Sequence, residues 1–287
     1  MRKLRLVLLI FSSLFFILAL NPEVCFSDTG KPRYVSIAPS TTEILFALGL
    51  DEEIAGVSTY CNYPPEANNK VRVGEFSQIN LEKIISLKPD YIFSTGLEQF
   101  RIVEELRRQN LKVYVADPSS LRELLNTIEE MGRITGKAKE AQVLIQNMQN
   151  QIGQVQAKVK MIPVNRRQKV FIEIWDDPLM TAGKGTFVDD LITLAGGENI
   201  AFDTKRAYSI FSQEEVIRRN PDCIILVYMK KSNSISLMEG RFGWNNILAV
   251  KSKRIFNDIN PDLLLRPGPR VVLGLKEVYK RLYPDEK

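Results

Sequence analysis

The sequence predicts an α/β protein of two Rossmann-like lobes joined by a long rigid α-helix, with a ligand cleft between the lobes. Three observations carry that expectation. Short, β-rich apolar runs alternate with helical patterns along most of the chain, the signature of parallel α/β sheets. One helix–turn–strand segment occurs twice, at residues 80–92 and 212–224. Between the two copies lies a stretch, residues 120–160, with helical spacing and little strand signal.

Residues 1–27 read as an address and not as part of the fold. Arg2, Lys3 and Arg5 precede an apolar run, residues 6–20, broken only by Ser12 and Ser13. A basic start before about 15 apolar residues is the pattern of a secretory signal peptide, whereas a membrane span needs about 20. Small residues at −3 and −1, Cys25 and Ser27, put cleavage after Ser27 and the mature protein in the periplasm. An uncleaved anchor and a lipid attached at Cys25 are the alternatives. Pro22, Glu23 and Val24 match poorly the small, apolar residues expected before a lipidated cysteine.

A first lobe is expected over residues 31–118, with strands at 34–38, 54–57, 91–94 and 112–115 and helices at 40–48, 81–87 and 99–109. A helical backbone follows over 119–162. Ser120-Leu121-Arg122-Glu123 forms a capping box, and Leu121, Leu124, Leu125, Ile128 and Met131 keep helical spacing. After residues 132–136 the pattern resumes with Ala141, Leu144, Ile145, Met148 and Ile152 and runs to Val159, until Pro163 stops it. Gly, Ser and Pro do not dominate this stretch, so it reads as a strut and not as a flexible linker. The second lobe, over 163–287, has strands at 170–174, 224–228 and 254–256 and helices at 187–195, 213–219 and 269–282.

The repeated segment marks the two lobes as similar. Asn80 and Ser212 are candidate N-caps. Glu82 and Glu214 each fall in the first helical turn, seven residues before Pro89 and Pro221. Each proline ends a helix and starts a strand. Interfaces between lobes favour small-molecule sites, so the cleft is the expected site.

Composition narrows the function. With 287 residues, 45% hydrophobic and 25% charged, the chain is ordinary for a globular protein, and a chain of this length needs no disulfide staples. It has no histidine, which excludes a His-dependent hydrolase and a histidine zinc site. Cleavage after Ser27 removes Arg2, Lys3, Arg5 and Glu23 and takes the formal charge from +5 to +3, which gives no argument for nucleic acid. Cys223 sits in a strand-like run and Cys61 in a loop, so they read as unpaired, although an exported protein could join them. Gly183-Lys184-Gly185-Thr186 lacks the spacing of a phosphate loop and reads as a turn. Gly196-Gly197 reads as a helix stop, and Asp176-Asp177 and Asp189-Asp190 read as solvated acids. No serine elbow is present, and a catalytic reading is not favoured.

Several local signatures, in order, resemble one family: Val35-Ser36-Ile37-Ala38-Pro39-Ser40-Thr41-Thr42-Glu43, Gly56-Val57-Ser58, Tyr63-Pro64-Pro65, Leu87-Lys88-Pro89-Asp90, Ala195-Gly196-Gly197-Glu198-Asn199 and Arg266-Pro267-Gly268-Pro269-Arg270. The chain resembles the periplasmic substrate-binding proteins of ABC importers in the class with a helical backbone between lobes, from about residue 33 to 282. That class carries cobalamin, haem and ferric siderophores, and the cobalamin-binding branch is the nearest. The resemblance implies a monomer, without a cofactor of its own, that captures a ligand in the cleft and delivers it to a membrane permease. It implies that Glu82 and Glu214 meet arginines of that permease, a charge-assisted contact that sets orientation and register.

The resemblance also points to ligand contacts. Tyr60 and Phe76 match aromatic positions that touch cobalamin, Tyr208 lies near another, and Asp262 and Arg266 match polar positions near the ligand. Thr95 and Gly96 follow a strand at its carboxyl edge, where ligands of α/β sheets bind. Trp175 closes the strand at 170–174, where an aromatic ring could face a corrin. Arg270 is expected to belong to the helix that follows it. Leu263 and Leu264 stand where the cobalamin branch can place aromatics, so a siderophore and haem remain alternatives. Without histidine, a haem iron would rely on a tyrosine such as Tyr60 or Tyr208. A tetrapyrrole-modifying or chelatase-like enzyme on the same scaffold is the remote alternative.

Overall fold

The computed structural model describes residues 30–96, 99–227 and 234–285, so the expected signal segment and Cys25 lie outside the described residues. The first lobe is built on β1 (Tyr34–Ser36), β2 (Ile54–Val57), β3 (Val71–Arg72), β4 (Tyr91–Ser94) and β5 (Val113–Val115), with α1 (Pro39–Ala47), α2 (Leu81–Ser86) and α3 (Phe100–Arg108) between them. The strands form one parallel sheet in the order β3-β2-β1-β4-β5. Both faces of that sheet are covered, which is why its central strands are apolar without alternation. Val35 and Ile92 pack with Ile84 of α2 and Leu106 of α3. Tyr34 and Phe93 face the other way and join Ile44 and Leu45 of α1 in the main core.

Two helices follow, α4 (Leu121–Ile134) and α5 (Ala138–Lys160). Ser120 caps α4 by accepting from the Glu123 N–H at 3.2 Å. The Glu123 carboxylate reaches back to Ser119, at 2.7 Å to its N–H and 2.8 Å to its hydroxyl. The chain turns at Gly136, whose φ of +73° suits glycine. Gly132 lets α4 and α5 approach closely, since a Cβ there would come within 2.5 Å of the Ala141 Cβ. With 23 residues, α5 is roughly 34 Å long at 1.5 Å per residue. Its apolar stripe, Ala141, Met148, Ile152, Val155 and Val159, is buried.

The second lobe contains β6 (Lys169–Glu173), β7 (Trp175–Asp176), β8 (Leu179–Ala182), α6 (Phe187–Leu194), β9 (Glu198–Asn199), β10 (Tyr208–Ile210), α7 (Gln213–Arg219) and β11 (Cys223–Leu226), then α8 (Ser234–Glu239), α9 (Leu248–Lys251), β12 (Ile255–Phe256), α10 (Asp262–Leu265) and α11 (Val271–Leu282). Its main sheet is again parallel, β12-β11-β6-β9. A second, antiparallel sheet, β10-β8-β7, was not expected from the sequence. Its strands are two to four residues long and broken by turn residues, too short for a periodic signal. The helix α5 packs against α4, α6 and α11, and α4 in turn packs against α1 of the first lobe and α6 of the second.

The repeated segment has one geometry in both places. Asn80 accepts from the Lys83 N–H at 2.9 Å, and Ser212 from the Glu215 N–H at 3.1 Å, so both expected N-caps form. Lys88 and Asn220, one residue before each proline, have φ of 47° and 48°. The Asp90 carboxylate then accepts from the Arg33 N–H at 2.7 Å, and the Asp222 carboxylate from the Lys169 N–H at 2.7 Å. Each aspartate also donates its own N–H to the carbonyl of that same residue, at 2.8 Å. One acid therefore pins the start of the central strand in each lobe.

Candidate functional site

The sequence-predicted residues of the first lobe are drawn together by loops at the carboxyl edge of its sheet. Tyr60 stands at the tip of the 58–61 turn, closed by the Cys61 N–H on the Ser58 carbonyl at 3.1 Å, and is 49% exposed. Phe76 sits in a tight loop pinched by the Gly74–Ile79 bridge. Gly74 has φ of +122°, and a Cβ there would lie 2.5 Å from the Gln78 carbonyl, so only glycine fits. The two loops are tied by Thr59, which donates its N–H and its hydroxyl to the Gly74 carbonyl at 2.8 and 2.9 Å.

Gln99 joins Thr95 and Gly96 to this group. It is 1% exposed. Its Oε1 accepts from the Ser94 hydroxyl at 2.8 Å and the Thr95 N–H at 3.1 Å. Its Nε2 donates to the carbonyls of Ile37 at 2.7 Å and Phe76 at 3.0 Å. Gly96 lies against Asp117, whose Oδ2 would be 1.8 Å from a Cβ. Sequence reasoning missed Gln99; a glutamine just before a helix carries no distinctive signal.

The second lobe supplies a wall of another kind. Trp175 and Met180 are directly paired across β7 and β8, as are Ile210 with Met180 and Tyr208 with Ala182 across β10 and β8. Paired residues, and residues two apart, share one face of a sheet. Trp175, Met180, Tyr208 and Ile210 therefore project together, and Trp175, Tyr208 and Ile210 are 51%, 50% and 70% exposed. The opposite face is buried: Thr181 donates to the Ile172 carbonyl at 2.6 Å. The indole N–H of Trp175 is occupied by the Asp177 carbonyl at 2.8 Å, which fixes the ring.

Asp262 and Arg266 form an ion pair at 3.0 Å. Arg266 also donates to the Asn62 Oδ1 at 2.7 Å, which carries it across to the loop bearing Tyr60. Leu264 is buried, in the main core. Arg270 stands, as expected, at the head of the helix that follows it, as the N-cap of α11, and its side chain also reaches Glu43 in the first lobe, with bonds of 2.6 and 2.8 Å. The acids Asp189 and Asp190, expected to be solvated, are engaged. Asp189 accepts from the Asn199 amide at 2.9 Å and Asp190 from the Leu121 N–H at 2.7 Å. Two hollows lie elsewhere, of about 540 Å³ between Tyr114 and Arg133 and about 350 Å³ beside Phe202 and Arg219; no expected ligand residue lines either.

Glu82 and Glu214 are both exposed, in the first turns of α2 and α7. Glu214 accepts from the Ser212 hydroxyl at 2.9 Å. Its own backbone N–H and that hydroxyl hold its carboxyl below the usual range, so it is charged at neutral pH. Cys61 and Cys223 are free and buried, and burial pushes the Cys223 thiol up to about 12.

Two α/β lobes, each on a parallel sheet, are joined through α4 and α5, with half-exposed aromatic rings on loops of the first lobe and on the small sheet of the second. The chain belongs to the periplasmic binding protein family, whose model matches residues 35–260. It is 34% identical over 272 residues to the ABC transporter substrate-binding lipoprotein YvrC of Bacillus subtilis, covering 93% of this chain and 84% of that one. It is 29% identical over 254 residues to the vitamin B12-binding protein of Salmonella typhimurium, covering 88% of this chain and 91% of that one. A solved structure of a possible iron-binding, periplasmic solute-binding protein from Staphylococcus epidermidis matches with a TM-score of 0.77 and 31% identity, covering 88% of this chain and all of that one. The protein is thus a substrate-binding component of an ABC importer, placed outside the cytoplasm, with a small-molecule ligand and a permease partner; it is not an enzyme.

Proposed function

We propose that this protein captures a corrinoid, cobalamin, in the cleft between its lobes and delivers it to the permease as a monomer. The observation that carries the reading is the pair of walls. Tyr60 and Phe76 project from loops of the first lobe, and Trp175 and Tyr208 share one exposed sheet face of the second. A large flat ring with amide arms needs apolar and aromatic surfaces with a few polar tips. Thr95, the Gly96 backbone, Asp262 and Arg266 supply those tips. The likeness to the Salmonella vitamin B12-binding protein over most of both chains supports the same ligand. Glu82 and Glu214 dock the loaded protein onto arginines of the permease. Cleavage after Ser27 releases the protein into the periplasm; a lipid at Cys25 is the second reading, favoured by the lipoprotein relative.

Calorimetric titration of cyanocobalamin into the purified protein tests the ligand. Saturable one-to-one binding at micromolar affinity or tighter is the expected result, and no heat at two temperatures overturns it. A ferric siderophore is the second ligand reading, favoured by the Staphylococcus relative named as possibly iron-binding. Titration with ferric siderophores in the same cell decides between them.

A further inference from the structure

Besides the bridging helices α4 and α5, the lobes are joined by a small polar knot. Glu43 of α1 is 4% exposed and receives a fork of two bonds from Arg270, which precedes α11. The guanidinium carbon of Arg270 lies 3.6 Å from the centroid of the Tyr63 ring, which covers its outer side. Gly268 lets the 266–270 turn lie on Glu43, since a Cβ there would come 3.2 Å from its Oε2. Arg266, at the start of the same turn, holds Asn62. One turn of the second lobe is therefore seated on α1 and the 62–63 loop of the first.

A forked arginine–carboxylate contact constrains direction as well as distance, so this pair sets the register of one lobe on the other. Its partners cannot slide without leaving a buried charge unmatched, which is strongly unfavourable. Burial raises the Glu43 carboxyl above its usual range despite Arg270, so the charge on Glu43 depends on that guanidinium. The pair Glu173–Arg241, at 2.6 Å, is buried to a similar degree but lies wholly inside the second lobe and provides a natural control.

We propose that Glu43 and Arg270 are positioning residues: with Tyr63 they clasp the lobes at one angle, fix the width of the cleft and hold Arg266 at its mouth. The proposal needs the two-lobed cleft and not the corrinoid reading, so it stands or falls on a ligand-free measurement. Spin labels at Lys83→Cys in α2 and Lys251→Cys in α9, both exposed, report the distance between lobes; Cys25 is replaced by serine, and Cys61 and Cys223 are buried. Pulsed dipolar spectroscopy on the parent protein is expected to give one narrow distance population. Arg270→Met broadens or shifts it, and so does Glu43→Gln, which keeps the shape of the side chain if the methionine variant fails to fold. Arg241→Met lowers thermal stability and leaves the distance unchanged. A population unchanged in the Glu43 and Arg270 variants overturns the proposal, as does an equal broadening in Arg241→Met.

Discussion

Gln99 offers the sharpest test of how the first wall is held. Gln99→Met keeps the length of the side chain and removes all four of its bonds, to Ser94, Thr95, Ile37 and Phe76. Two of the four partners have an escape. The Ser94 hydroxyl already has a second acceptor in the Thr95 carbonyl, at 3.2 Å, and the half-buried Phe76 carbonyl can turn to water. The Ile37 carbonyl and the Thr95 N–H are left. A buried backbone group deprived of its partner costs about 1–3 kcal/mol, and Thr95 is only half-buried, so the expected loss is about 2–4 kcal/mol. In a protein of this size that lowers the melting midpoint by roughly 4–8 °C. Urea and thermal unfolding by circular dichroism measure the loss. Amide exchange read by mass spectrometry localises it, with faster exchange expected in peptides covering 74–80 and 94–96 and little change in the second lobe. Midpoint and exchange both matching the parent would refute the view that Gln99 holds these loops together.

Glu82→Ala with Glu214→Ala should leave ligand affinity intact and cut uptake by roughly tenfold or more, a docking loss of about 1.4 kcal/mol; normal uptake would remove both residues from docking. Phe76→Ala should weaken ligand binding by about 1–3 kcal/mol, the worth of a buried aromatic wall, and an unchanged dissociation constant would place Phe76 outside the site. Hydrogen bonds from Arg218 and Arg219 lower the Glu215 carboxyl to about 2. A depressed carboxylate contributes stability above its ordinary value near 4.5 and loses it as pH falls through about 2, so Glu215→Gln should flatten the acid limb of the melting curve in that window. Cys61 and Cys223 should ignore a thiol reagent at pH 8 in the native protein and react in denaturant; fast native labelling at either would contradict their burial.

The parts of the molecule legible in the sequence are those built from local signals. The strands of both parallel sheets are apolar runs because both faces are covered, and the caps Asn80, Ser120 and Ser212 announce their helices within four residues. The duplicated Pro-Asp turn was visible as a pattern, but its purpose was not, since the bond from Asp90 to Arg33 spans 57 residues. The antiparallel sheet was hidden because its strands are too short to show alternation. That sheet nevertheless explains why Trp175 and Tyr208, 33 positions apart in the chain, stand on one face. Arg270 was read locally, as the start of a helix, and its ion pair with Glu43 lies 227 residues away, beyond any periodic or spacing signal.

The same separation has a consequence for assembly. All five strands of the first sheet precede residue 116, and the core of the second sheet, β6 and β11, precedes residue 227. The turn that carries Arg266 and Arg270 follows both. A chain emerging from a translocation pore in N-to-C order can therefore complete one sheet and then the other while their mutual alignment is still open. Only when the last twenty or so residues arrive can α11 pack on α5 and the turn close over Glu43. On the proposal that Glu43 and Arg270 clasp the lobes, a chain interrupted just before residue 266 would keep both sheets and the bridging helices but lack the clasp that fixes the width between them.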